Sequence, residues 1–166
     1  GPTSAGKTTL AKALVEHLRA AGDVPVIHWD GDQVRDMLGT DLDFSSNSRL
    51  RVVRTLAEMA KATSDAGVFT IVSALTAHED ARKLISEILP RLIICYVHCP
   101  IDICIERDPK GLYRRAIDGE IDTLIGYNSE YRPPIDPALI VDTSLGNVAK
   151  GVEQIVAFLA GADSQH

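Results

Sequence analysis

"GPTSAGKTTLAKAL" (residues 1–14) decides how this chain is read. Gly1, four intervening residues and then Gly6-Lys7-Thr8 satisfy the pattern G-x-x-x-x-G-K-[ST] in full. Glycines let the backbone wrap tightly, so that successive N–H groups point inward toward one anion. Apolar residues recur at helical spacing from Lys7 until Gly22 stops the run, and a helix starting here aims its positive end at the same anion. In this pattern Lys7 reaches the outer phosphates of a nucleoside triphosphate, and the Thr8 hydroxyl is a ligand to Mg²⁺. Gly1, Ser4, Ala5, Gly6, Lys7, Thr8 and Thr9 are therefore the expected nucleotide-holding residues.

Outward from the loop, strand-like and helix-like segments alternate. "VPVIHWD" (24–30), "VFTIVSAL" (68–75), "RLIICYVHC" (91–99) and "ALIVDTS" (138–144) read as strands. The segments 49–67, 79–89, 100–108 and 147–161 read as helices. The pattern predicts an α/β fold, a parallel sheet flanked by helices, of the P-loop nucleoside triphosphate hydrolase type. Such a loop normally joins a central strand to a helix, so a short apolar strand is expected upstream of Gly1. Residues 1–161 are expected to form one kinase-sized domain, with 162–166 a frayed tail. From Asp118 to Pro137 neither period holds, which points to a functional loop, and a lid over about 107–136 is expected.

The net charge of −6 argues against a broad nucleic-acid footprint, and no apolar run is long enough to span a bilayer. Cys95, Cys99 and Cys104 lack metal-type spacing and read as buried reduced thiols, in keeping with a cytoplasmic protein. Because basic residues are scarce, their clusters are informative. "HWDGDQVR" (28–35) sets Asp30 at a strand's carboxyl end, where ligands bind in open α/β sheets. An aspartate there orients or deprotonates an attacking hydroxyl, or holds Mg²⁺. Asp32 opens the next helix, as an acceptor contact or merely as its cap, and Arg35 lies one turn further on. Arg49, Arg51 and Arg54 follow around a helix start, and their planar forks suit an anionic acceptor. Arg107, Lys110, Arg114 and Arg115 border the irregular stretch, where cations can meet the transferring phosphoryl group.

On these residues the chain resembles adenylylsulfate kinase, which phosphorylates the 3′-hydroxyl of adenylylsulfate with ATP in sulfate assimilation. The likeness runs from Gly1 to about Thr143 and is carried by "DGDQVR" (30–35), "DLDFS" (41–45), Arg49, Arg54 and "RDPKGLYRRA" (107–116). "GEI" (119–121), Gly126, Tyr131 and Pro133-Pro134 continue it. The resemblance implies an enzyme with ATP and Mg²⁺ as cofactors, Asp30, Lys7 and Lys110 as catalytic residues, and Thr8 and Asp30 at the metal. It implies Arg107 and Thr143 near the ATP adenine, and Asp32, Arg35, Phe44, Arg49 and Leu124 around a small anionic nucleotide. Relatives' dimers imply a homodimer, with no nucleic-acid or membrane partner.

Several positions depart from the family. An acceptor-binding asparagine is Val52, a serine and an arginine after the third family strand fall at Ala77 and Asp80, and the phenylalanine that packs on the acceptor's adenine is Leu124. A lost amide hydrogen bond and a lost aromatic stack each cost about 1–3 kcal/mol of adenine recognition. Two alternatives therefore stay open: a related kinase acting on a different anionic nucleotide, and a non-catalytic ATP-binding regulator.

Overall fold

The computed structural model describes residues 1–22, 24–39 and 45–163. Phe44 and the rest of "DLDF" lie outside the described residues. In chain order the elements are α1 (Lys7–Ala21), β1 (Val26–Asp30), α2 (Gly31–Met37), α3 (Ser46–Asp65), β2 (Phe69–Ser73) and α4 (Glu79–Ile88). They continue with β3 (Cys95–His98), α5 (Ile101–Arg107), α6 (Leu112–Ile117), β4 (Leu139–Asp142) and α7 (Val148–Asp163). β1 pairs with β2 and β3 with β4, both parallel, so the α/β expectation holds. Both α1 and α3 contact β1 and β2.

The phosphate loop ties the two strand pairs together at their carboxyl ends. A Cβ on Gly1 would run into the carbonyl oxygen of Val97 in β3, so only glycine fits this approach. Gly6 takes a left-handed φ of 87° and opens α1 with no side-chain cap. The first-turn N–H groups of α1 are thus left to an anion rather than to a side chain. The two helices that follow differ: Asp30 caps α2, and the Ser45 hydroxyl accepts from Ser48 N at 3.3 Å to cap α3.

The main core gathers Leu10 and Leu14 of α1, Val97, Cys104, Tyr113, Val141 and Val152. A smaller one joins Val34 of α2 to Val52 and Leu56 of α3. The three cysteines are free, as expected, and burial pushes the Cys95 thiol up to about 11 and that of Cys104 to about 12. Cys95 and Cys104 are therefore thiols rather than reactive thiolates at neutral pH. Among the described residues no helix is long and apolar enough to cross a membrane.

Two elements differ from the sequence reading. α2 begins at Gly31, not Asp32, because the Asp30 carboxylate takes the capping role by accepting from the backbone N–H groups of Asp32 and Gln33. α6 falls in the basic segment that borders the irregular stretch, where the sequence pattern assigns no element. Its first turn is held by Asp108, whose carboxylate accepts from Tyr113 N at 3.1 Å and Arg114 N at 3.0 Å.

Candidate active site

A cleft of about 790 Å³ runs along the carboxyl ends of the strands, with the phosphate loop at its middle. Its floor is a tight group of oxygens. Asp30, only 6% exposed, accepts on Oδ2 from the Thr8 hydroxyl at 2.6 Å and the Ser73 hydroxyl at 2.8 Å. Its Oδ1 accepts from Asp32 N at 2.9 Å and Gln33 N at 3.4 Å. Burial pushes the carboxyl pKa up, but these four hydrogen bonds outweigh it and leave Asp30 below the usual carboxylate range. The group is ionised across the physiological range. Four donors also fill the roughly four acceptor sites of a carboxylate, so any ligand reaching Oδ2 must take the place of a hydroxyl.

Lys7 faces this floor with its ammonium donating to the Pro2 carbonyl oxygen at 2.6 Å. Burial lowers its pKa to about 8, against the opposing pull of Asp32. The loop is braced from outside. Thr143 Oγ1 lies 2.7 Å from the Ala5 carbonyl oxygen, and the fully buried Tyr113 donates its phenol to Thr3 O at 3.0 Å. In "DPKGLY" Asp108 and Tyr113 therefore hold the segment in place. Lys110 between them reaches across to an ion pair with Asp32, both side chains more than half exposed. An exposed pair of this kind contributes little to stability, so a phosphate can exchange for the carboxylate at small cost.

The two ends of the cleft differ chemically. At one, Arg107 donates to Thr143 O at 2.5 Å and to Ser144 O at 3.2 Å, and Cys99 Sγ accepts at 3.4 Å. These contacts fix the guanidinium plane in the cleft wall, beside Gly146, Asn147 and Val148, which the sequence reading passes over. At the other end Arg35 and Arg49 stand over an apolar wall that includes Val52, Val53, Leu56 and Leu124. Arg49 is anchored by donation to Thr123 O at 2.7 Å. Burial, then the charge of Arg35, lowers its pKa. Two like charges brought together over an apolar surface favour an anion between them.

The structure thus brings Gly6, Lys7, Thr8, Thr9, Asp30, Asp32, Arg35, Arg49, Arg107, Lys110, Leu124 and Thr143 to one cleft, with Ser4 at its edge. Ala5 is fully buried beneath the loop, and Gly1 supports it from the β3 side. Arg51 and Arg54 do not join them: they point outward from α3 and are exposed, so the arginine cluster reduces to Arg49 with Arg35. Val52 and Leu124, where the family places polar and aromatic groups, are 6% and 8% exposed and extend the two apolar cores. Ala77 is buried and Asp80 exposed; neither lines the cleft. The cation of that region is Arg82, 2% exposed, bonded to Glu79 at 2.6 Å, to Thr76 O at 3.1 Å and to Arg132 O, a structural clamp that the sequence reading did not single out. Ser73 was also missed; its signal is visible only in the register, directly opposite Asp30.

Comparison with known proteins agrees with this geometry. The model of the adenylylsulphate kinase family matches residues 1–142. A probable adenylyl-sulfate kinase of Archaeoglobus fulgidus is 41% identical over 143 residues, 86% of this chain and 92% of that protein. The adenylyl-sulfate kinase of Geotalea daltonii is 35% identical over 161 residues, 96% of this chain and 79% of that one. Among solved structures, Mycobacterium tuberculosis APS kinase in complex with AMPPNP and APS matches with a TM-score of 0.90 and 27% identity, over 96% of this chain and 94% of that chain. Since the family match takes in the phosphate loop, Asp30, both cleft arginines and Lys110, this chain belongs to the adenylylsulfate kinase family.

Proposed function

We propose that the cleft transfers the γ-phosphoryl group of ATP to the 3′-hydroxyl of adenylylsulfate, giving ADP and 3′-phosphoadenylylsulfate. The observation that carries this reading is the Asp30 carboxylate held 2.6 Å from the phosphate-loop hydroxyl of Thr8, with Arg35 and Arg49 at one end of the same cleft. The acceptor's phosphosulfate is drawn to the two guanidiniums, and its base lies on the apolar wall. The ATP phosphates lie in the loop and its base toward Arg107 and Thr143. Asp30 orients the 3′-hydroxyl. Its lowered pKa makes it a weak base, which suits a loose phosphoryl transfer in which the proton leaves late. The hydroxyl oxygen bonds to the γ-phosphorus, the bond to the β-bridging oxygen breaks, and Asp30 receives the proton.

Thr8 and Asp30 supply the hard oxygen donors that Mg²⁺ prefers, and they would hold it once the hydrogen bond between them opens. When bound, the ion neutralises charge on the β and γ oxygens. Lys7 adds a second positive charge there, and Lys110, freed from Asp32, a third. The segment 107–136 serves as the lid of a single kinase domain, working as a homodimer in a reducing cytoplasm.

Two measurements check this assignment. In a coupled ADP-release assay over a panel of nucleotide acceptors, adenylylsulfate is the preferred one. Arg49→Ala raises its KM by about 10- to 100-fold, the worth of a charged hydrogen bond, with the KM for ATP little changed. Equal changes in both constants count against the acceptor role. The second reads Lys7. Its folded pKa of about 8 lies below the ordinary 10.5, so the free protein gains stability as pH rises through that window, where only the unfolded chain keeps the proton. A triphosphate restores the charge, so ATP binding takes up protons within that window. Calorimetry in buffers of different ionisation enthalpy detects the uptake, and buffer-independent heats contradict it.

A further inference from the structure

We propose that His28 and Ser73 are positioning residues for the transfer, forming a hydrogen-bond relay that holds the Asp30 carboxylate toward the phosphate loop. The inference rests on Asp30 acting at the acceptor hydroxyl. β1 and β2 run parallel with Asp30 opposite Ser73, and the two-residue period of a strand sets His28 on the side of Asp30. Ser73 Oγ lies 2.8 Å from Asp30 Oδ2 and 2.8 Å from His28 Nε2. A serine hydroxyl has one proton, and an ionised carboxylate only accepts. Ser73 therefore donates to Asp30, and His28 must donate to Ser73 through Nε2–H.

That order fixes the imidazole tautomer and the direction of every bond in the relay. It also explains a polar pair at strand positions where an apolar sheet needs neither. Thr8 is the other hydroxyl on Oδ2. Since a ligand at the loop displaces Thr8, Ser73 is the hydroxyl that continues to hold this oxygen during the reaction. His28 in turn stops the Ser73 hydroxyl from rotating away.

Ser73→Ala and His28→Leu lower kcat by roughly 10- to 100-fold, the range for partners of a metal-site ligand. The KM values for ATP and adenylylsulfate stay within about twofold. Ser73→Thr keeps the hydroxyl and His28→Gln keeps the N–H donor, and both restore kcat. A merely structural pair lowers thermal stability without separating kcat from KM and without this rescue. Unchanged kcat in Ser73→Ala and His28→Leu overturns the proposal. If the wild-type protein does not turn adenylylsulfate over, the proposed acceptor is wrong, and the relay is judged without turnover. Long-range ¹H–¹⁵N spectra at neutral pH then show the Nε2–H tautomer of His28, perturbed in Ser73→Ala. An Nδ1–H tautomer overturns it.

Discussion

Asp30→Asn is expected to lower kcat by about three orders of magnitude, within the range for losing a positioned acid–base group. The fold survives the change, because asparagine caps a helix as well as aspartate does and α2 keeps its first-turn acceptor. The local network suffers more. Four donors converge on two carboxylate oxygens, and an amide keeps only one of them as an acceptor. The Thr8 hydroxyl can turn aside, so the stability cost stays near 1–3 kcal/mol for an unsatisfied buried group. A thermal melt shows a modest drop, while steady-state ADP release with saturating adenylylsulfate shows the collapse in kcat. A kcat within tenfold of wild type would remove Asp30 from the chemistry.

Lys7→Met is the second large effect, and it separates catalysis from stability. The substitution keeps the apolar stem of the side chain and removes a charge aimed at the transferring phosphate. Loss of one such electrostatic contact costs about 10²–10³ in rate, read as kcat/KM for ATP. The free protein loses nothing comparable. Burial already disfavours the Lys7 charge, and its one hydrogen bond is to the Pro2 carbonyl oxygen. Lys7→Met is therefore expected to melt no lower than wild type, while ATP no longer raises its melting temperature. A large drop in stability without ligand would mean that the lysine serves the fold rather than the phosphate.

Much of this site was legible in the sequence because its parts are local. The phosphate loop is a contiguous pattern whose glycines are demanded by backbone geometry, and Gly1 and Gly6 fulfil that demand against Val97 and in the left-handed turn. Asp30 was legible because strand ends are where parallel sheets open to ligands. What escaped is set by pairing and packing across the chain. Ser73 matters only because the β1–β2 register brings it opposite Asp30, 43 residues away. Arg82 is a clamp only because segments distant in sequence offer it carbonyl oxygens. Arg51 and Arg54 looked like partners of Arg49 by spacing, but α3 turns Arg49, Val52, Val53 and Leu56 toward the cleft and leaves the other two arginines to solvent. "DPKGLY" was read as a cationic motif, yet Asp108 and Tyr113 are its anchors and Lys110 its one reaching group.

The apolar acceptor end gives the departures from the family a physical meaning. Val52 and Leu124 pack into the two apolar cores and line the cleft, so in the proposed function the wall they form meets the base by contact rather than by side-chain hydrogen bonds at those two positions. On that proposal Arg35 and Arg49 carry a larger share of acceptor recognition.

The central claim is tested most directly by mixing the protein with ATP, Mg²⁺ and adenylylsulfate and following the phosphorus nuclei by NMR. The account predicts a new phosphomonoester at the 3′ position of adenylylsulfate, formed in equal amount with ADP. ADP without that phosphomonoester, or transfer only when a different nucleotide is supplied, would contradict it.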